Sequence, residues 1–242
     1  MKRIRIPILR AGAREAFPDP EHALDEPNGL LAAGGDLSPE RLLAAYANAI
    51  FPWFSDDTPI LWWSPDPRMV FATGRVHVST RLRRWLRHSD WSVRSDTRFA
   101  EVMRACAAPR ADQAGTWITA HMFDAYNHLH ELGHAHSVEV FDSGGELVGG
   151  IYGVALGRMF FGESMFSRTS NGSKVALIGL CRQLHAWQFP LLDAQVASAH
   201  LSTMGAFEIP RREFVAHVRT QGTLAAPTWL WPHTKAADLA GY

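Results

Sequence analysis

The chain has 242 residues, 47% hydrophobic and 20% charged, with 24 basic against 24 acidic side chains. That length allows a sizeable core, and the composition is that of an ordinary globular protein, which excludes disordered, collagenous and disulfide-rich classes. No apolar run reaches membrane-spanning length, and the basic start MKRIRIPILR lacks the apolar core and cleavage site of a leader, so a cytoplasmic protein without membrane contact is expected.

The first sixty-odd residues are rich in proline, glycine and aromatics. They predict one clear helix: Ser38 is its cap, Pro39 sits at N1, and Leu42, Leu43, Tyr46 and Ile50 form an apolar stripe. Irregular loops are expected on either side. The prolines from Pro59 to Pro67 suggest a boundary, with a small N-terminal domain over 1–66 and a larger domain over 67–242. Trp53, Trp62 and Trp63 read either as anchors between the two or as platforms for a base.

Two short strands are expected at 70–73 and 76–78, then a helix capped by Ser79 or Thr80. Its apolar positions are Leu82, Trp85 and Leu86, with Arg83, Arg84 and Arg87 elsewhere on its surface. Residues 68–110 carry ten arginines against Asp90, Asp96 and Glu101, so a neutral total conceals a local excess of seven positive charges. That face is either simply solvated or a footprint for phosphates. The strand WSVRS and a helix over 97–107 follow, and Thr119 caps a further helix that ends at Gly133. A hairpin comes next, from AHSVEVFD through SGGE to ELVGGIYGVALG. Late elements are a short helix over 198–204 and a last one after Pro210, with a tail beyond Gln221 that reads as loosely structured. Strands alternating with helices from residue 69 onwards predict an α/β fold with a mixed sheet.

The stretch 160–196 carries the chemistry. Ser170 and Asn171 are candidate caps for a helix whose buried face is Leu177, Leu180, Cys181 and Leu184. After Pro190 comes LLDAQV, where regular alternation would put Asp193 and Gln195 on one face, about 7 Å apart. Two polar side chains on an apolar strand need partners, which are either internal (an arginine for Asp193) or a substrate. Glu163, in the GES of the preceding strand, adds a second acid and favours a concave acidic site. Cys106 and Cys181, the two cysteines, read as core residues.

Several signatures fail. HELGH at 130–134 fits a zinc-peptidase pattern, but Gly133 ends the helix before His134, so the two histidines cannot share a face. GxGxxG, GxxxxGK[ST] and GxSxG are all missing from the sequence, so neither a nucleotide cofactor nor a serine hydrolase is indicated.

In order along the chain, EPNGLLAAGGDLSPERLL, FPWFS, ILWWSPDPR, GTWIT, LHELGHAHSVEV, LVGGIYGV, FFGESMFSR, DAQV and GAFEIPRR closely resemble the bacterial leucyl/phenylalanyl-tRNA–protein transferases. The resemblance implies a small N-terminal domain and a GNAT-like second domain. It also implies transfer of Leu or Phe, with Met a further candidate, from aminoacyl-tRNA to proteins beginning with Arg or Lys, marking them for N-end-rule degradation. No cofactor or metal is implied, and a monomer is expected. Asp193 and Gln195 match the catalytic pair: Gln195 would hold the attacking amine, and Asp193 would orient and polarise its amide. Glu163 matches an acidic residue suited to a cationic N-terminus. Trp53 and Trp117 match tryptophans near the terminal adenosine. Ile151, Met165, Leu177, Leu180, Leu184 and Leu192 fall at the lining positions of an apolar amino-acid slot. Arg83, Arg84 and Arg87 resemble a basic cluster that tracks tRNA. A non-catalytic RNA-binding module and a zinc peptidase through His130 and His134 are the competing readings.

Overall fold

The computed structural model describes residues 6–13, 15–108, 118–229 and 231–242. Its first third holds β1 (Ile8–Leu9), β2 (Leu30–Gly34), α1 (Pro39–Ala47), β3 (Phe51–Pro52) and β4 (Leu61–Trp63). Then follow β5 (Arg68–Ala72), α2 (Thr80–Arg87), β6 (Ser92–Ser95), α3 (Phe99–Ala107) and α4 (Ala120–Glu131). The middle supplies β7 (Ala135–Phe141), β8 (Leu147–Leu156), β9 (Met159–Ser167), α5 (Gly172–Ala186) and β10 (Leu191–Gln195). Last come α6 (Ala199–Thr203), β11 (Phe207–Ile209), α7 (Arg211–Gln221) and β12 (Thr234–Lys235).

Helix starts obey local capping chemistry. The hydroxyls of Ser38, Ser79 and Thr119 accept from the backbone N–H groups of Arg41, Leu82 and Met122 at 3.2–3.4 Å, satisfying donors that a helix cannot satisfy itself. The start of α5 differs from expectation. Asn171 takes a left-handed conformation, φ 80°, and makes no side-chain cap bond.

The strands form two sheets. A small one has the order β1-β2-β4-β3, and a mixed eight-stranded one has the order β11-β5-β10-β9-β8-β7-β6-β12. The α/β class with a mixed sheet is as the sequence indicates. The segments read as irregular loops around α1 are in fact the strands of the small sheet, too short for period-2 patterning to register. At 76–78 no strand forms: the chain leaves β5 through a 3₁₀ turn at Thr73–Arg75, and Val76 and Val78 are buried by packing alone.

Both faces of the large sheet are covered. α3, α4 and α7 lie on one side together with α1 and the small sheet; α2 and α5 lie on the other. Every residue of β7 is accordingly buried. The tail is not loose, contrary to expectation. β12 pairs with β6, Ala236, Leu239 and Ala240 are buried, and Trp229 stacks on His136 at 3.9 Å. Its short apolar contacts have no periodicity of their own and form only against distant elements: α2, α5 and the large sheet.

α5 rests on β8 through glycines. A Cβ on Gly149 would lie 2.3 Å from the carbonyl carbon of Gly172, a backbone atom that cannot give way. Gly149→Ala is therefore expected to destabilise the chain by at least about 1–3 kcal/mol, as overpacking does. Chemical denaturation measures this, and a midpoint equal to wild type would mean that α5 slides freely on the sheet.

Candidate active site

β10 runs between β5, antiparallel, and β9, parallel, so its side chains meet both neighbours. The regular alternation expected of LLDAQV breaks here. A bulge falls between Asp193 and Gln195, opposite Val70 and Met69, and Gln195 has φ 62°. Bulges re-aim side chains, and this one separates the duties of the two polar residues.

Asp193 is fully buried and gripped by Arg68 from β5: Nε donates to Oδ1 at 2.8 Å and Nη2 to Oδ2 at 2.6 Å. Arg68 is itself 1% exposed, sandwiched between the rings of Phe51 and Phe214 at 4.7 and 4.6 Å. Asp193 Oδ1 also accepts from the backbone N–H of Gln195 at 2.9 Å, which ties down the bulge. Asp193 thus orients the backbone of Gln195, not its side-chain amide; the expectation that it polarises the amide is corrected.

That task falls to Glu163. Gln195 Nε2 donates to Glu163 Oε1 at 2.9 Å. The Tyr46 hydroxyl donates to Oε1 at 2.8 Å and the Tyr126 hydroxyl to Oε2 at 3.2 Å, and the two phenol oxygens contact each other. Burial pushes the Glu163 carboxyl up to about 7, against the opposing pull of the two phenols. Burial first, and the charge of Glu163 next, hold both phenols well above their ordinary range. With its amide N–H committed to Glu163, the Gln195 carbonyl oxygen takes no hydrogen bond from the described residues, and the side chain lines a cavity.

The cavity is an apolar slot of about 100 Å³. Glu163, Asp193 and Gln195 lie along it with Ile151, Met165, Leu177 and Leu192. Leu180 and Leu184 do not line it. They lie further along α5, fully buried in the core, because the helix turns them away from the slot that Leu177 reaches. Trp53 is also away from it, 45% exposed and tilted against Trp63 at 5.7 Å. Trp117 lies outside the described residues. Phe71 and Leu201 line the slot unpredicted; equally unpredicted is the polar support that Arg68 gives Asp193 and that Tyr46 and Tyr126 give Glu163 from behind it. Tyr46 and Tyr126 carried only a helical core signal; nothing in their spacing marks a hydroxyl that meets Glu163 117 and 37 residues away.

On α2, Arg84 and Arg87 are exposed, whereas Arg83 is half-buried and donates to the main-chain oxygen of Tyr242 at 3.3 Å. Of the three arginines, Arg83 is thus the one engaged by the tail. The two HELGH histidines do not share a helical face. His130 lies on α4, stacked on Phe99 at 4.2 Å and bonded to the Ala135 carbonyl, while Gly133, φ 78°, ends the helix turn before His134.

A family profile described as "Leucyl/phenylalanyl-tRNA protein transferase" matches residues 70–219, and that of its N-terminal domain matches 35–66. Leucyl/phenylalanyl-tRNA–protein transferases of Xanthomonas oryzae pv. oryzae (strain MAFF 311018) and Xylella fastidiosa (strain 9a5c) are 61% and 60% identical to this chain. The first alignment covers 93% of this chain and 90% of the relative, the second 88% and 87%. A third such transferase, from Xanthomonas campestris pv. campestris (strain B100), is 57% identical over 97% of this chain and 96% of its own. With identity this high over nearly the whole length, and a pinned amide beside an apolar slot, the chain belongs to the leucyl/phenylalanyl-tRNA–protein transferase family.

Proposed function

We propose that the chain moves leucine or phenylalanine from aminoacyl-tRNA onto the α-amino group of proteins beginning with Arg or Lys, extending them for N-end-rule degradation. The amine nitrogen attacks the ester carbonyl, the bond to the 3′-oxygen of the tRNA breaks, and that oxygen takes the amine's proton. An amine pKa of about 7.7–8 leaves a useful neutral fraction, so alignment is the main task, worth roughly 7–11 kcal/mol when complete. The observation that supports this reading is the Gln195 amide beside the slot, its N–H held by Glu163; its carbonyl oxygen, which takes no hydrogen bond from the described residues, would accept from the attacking amine. An amide has little basicity, so its role is to position the amine. The slot takes the transferred side chain, and Glu163 supplies negative charge toward a cationic N-terminus. Arg84 and Arg87, exposed on α2, are in this reading contacts for tRNA phosphates.

Residues 1–66 act in this reading as a small N-terminal domain and 67–242 as the catalytic, GNAT-like domain of a cytoplasmic monomer. Among the described residues no helix is long and apolar enough to cross a membrane. Labelled phenylalanine should pass from tRNA to an Arg-initiated protein without added nucleotide or metal; no transfer under those conditions would refute the reading.

Glu163 makes the reaction pH-dependent. Ionised, it accepts from Gln195; protonated, below about 7, it loses part of that grip. Transfer should therefore rise through about 7 and again with the amine. In Glu163→Gln the lower limb disappears and the amine limb stays; an unchanged profile would remove Glu163 from the mechanism. The stability sign is opposite. The folded chain binds this proton more tightly than the unfolded one, so the group's contribution to stability falls as pH rises from about 4.5 to about 7.

A further inference from the structure

A second depression of about 510 Å³ opens beside the slot, bounded by α3, the end of β9, the start of α5 and α6. Among the described residues its polar lining is Arg104, Ser167, Arg168, Ser173 and His200, with no carboxylate. It is continuous with the slot on two elements. Met165 of β9 borders both, and on α6 His200 faces the groove next to Leu201, which lines the slot.

The two arginines are exposed but held in place. Arg104 lies over the Phe123 ring at 5.2 Å. Arg168 lies over Phe166 at 5.7 Å, and its Nη1 donates to the Leu147 carbonyl at 3.0 Å. Among the described residues neither pairs with a carboxylate, so two cations share a groove with no balancing charge. Beyond the 167–174 turn a second groove is lined by Lys174 and by Arg81 of α2, with Asp90 its one acid. The positive lining thus runs from the mouth of the slot toward the exposed Arg84 and Arg87.

We propose that this groove holds the phosphodiester backbone of the 3′-terminal nucleotides of the tRNA carrier, with Arg104 and Arg168 as phosphate contacts. The proposal rests on the transfer reaction above. An amino acid seated in the slot remains esterified to a 3′-oxygen, so the adenosine sits at the slot's mouth and the first phosphates just past it. Guanidinium forks match phosphate oxygens, and the Ser167 and Ser173 hydroxyls offer further donors. The acceptor protein suits this groove poorly, since its N-terminus brings an ammonium and an Arg or Lys cation that two guanidiniums repel.

The test compares wild type with Arg104→Ala, Arg168→Ala and the double variant. The KM for Phe-tRNA should rise on the order of tenfold in the double variant. The slope of log KM against log salt should become shallower by about 1.4, two single-strand contacts at roughly 0.7 each. Phenylalanyl-adenosine, which has no phosphate, should compete with Phe-tRNA with an unchanged Ki, and Arg→Lys at both sites should restore most of the salt slope. An unchanged KM and slope would overturn the proposal. So would an equal loss for Phe-tRNA and phenylalanyl-adenosine, which would place the two residues in the slot, or a raised KM for the acceptor alone, which would assign the groove to protein. If wild type transfers no phenylalanine but binds Phe-tRNA with the salt slope set by Arg104 and Arg168, the function fails while the phosphate groove stands.

Discussion

Asp193→Ala should lower the stability of the folded chain by about 3–5 kcal/mol, because it leaves the Arg68 guanidinium buried without its counter-charge. At roughly 2–4 °C per kcal/mol for a chain of this size, the melting temperature falls by about 6–20 °C. The cation cannot escape to water. It is 1% exposed, held between Phe51 and Phe214, and its Nη1 donates to the Ala49 carbonyl at 3.2 Å. Those contacts tie β10 to α7 and to the segment before β3, so the loss spreads beyond the bulge. Removing both charges, as Arg68→Met with Asp193→Leu, should recover much of the stability but not the activity, since the Gln195 backbone loses its anchor either way. Thermal unfolding followed by circular dichroism reads the first result. A shift of only a degree or two in the single variant would mean that the ion pair does not hold this region.

Gln195→Ala should have the opposite profile, a fall in kcat on the order of 10²–10³ with little change in melting temperature or in affinity for Phe-tRNA. The factor is that of losing one pre-aligned hydrogen-bonding group at a reacting centre. Stability is spared because the side chain is half-exposed and alanine keeps the same backbone at φ 62°. Single-turnover transfer and tRNA binding, measured side by side, separate the two quantities. Should affinity collapse while turnover survives, Gln195 would belong to carrier binding.

Gln195 and Asp193 also show where one-dimensional reading stops. Their chemistry is visible in DAQV, and the helix and strand that flank it follow from periodicity and from Pro190. Their geometry is not visible. A bulge depends on which residue of β5 lies opposite, and Val70 and Met69 are more than 120 residues away in the chain. The internal arginine that the sequence allowed as a partner for Asp193 is there, yet it does not exclude a functional site, because a buried ion pair can position a neighbour. Leu180 and Leu184 illustrate the converse: a correct helical stripe does not say which of its turns borders a cavity and which borders only core.

What the sequence determined by itself is what depends on neighbours within a few residues: the capped helices, the hairpin of β7 and β8, the helix end at Gly133 and the family to which the ordered motifs belong. Folding in three dimensions alone decided which acid holds the Gln195 amide, that two tyrosines from α1 and α4 support it, and that the tail after Gln221 is anchored. Caps and periodicity are short-range properties written in the local chain. A shared carboxylate or a buried cation is a meeting of distant segments, chosen by how apolar faces pack and which polar groups must then find each other.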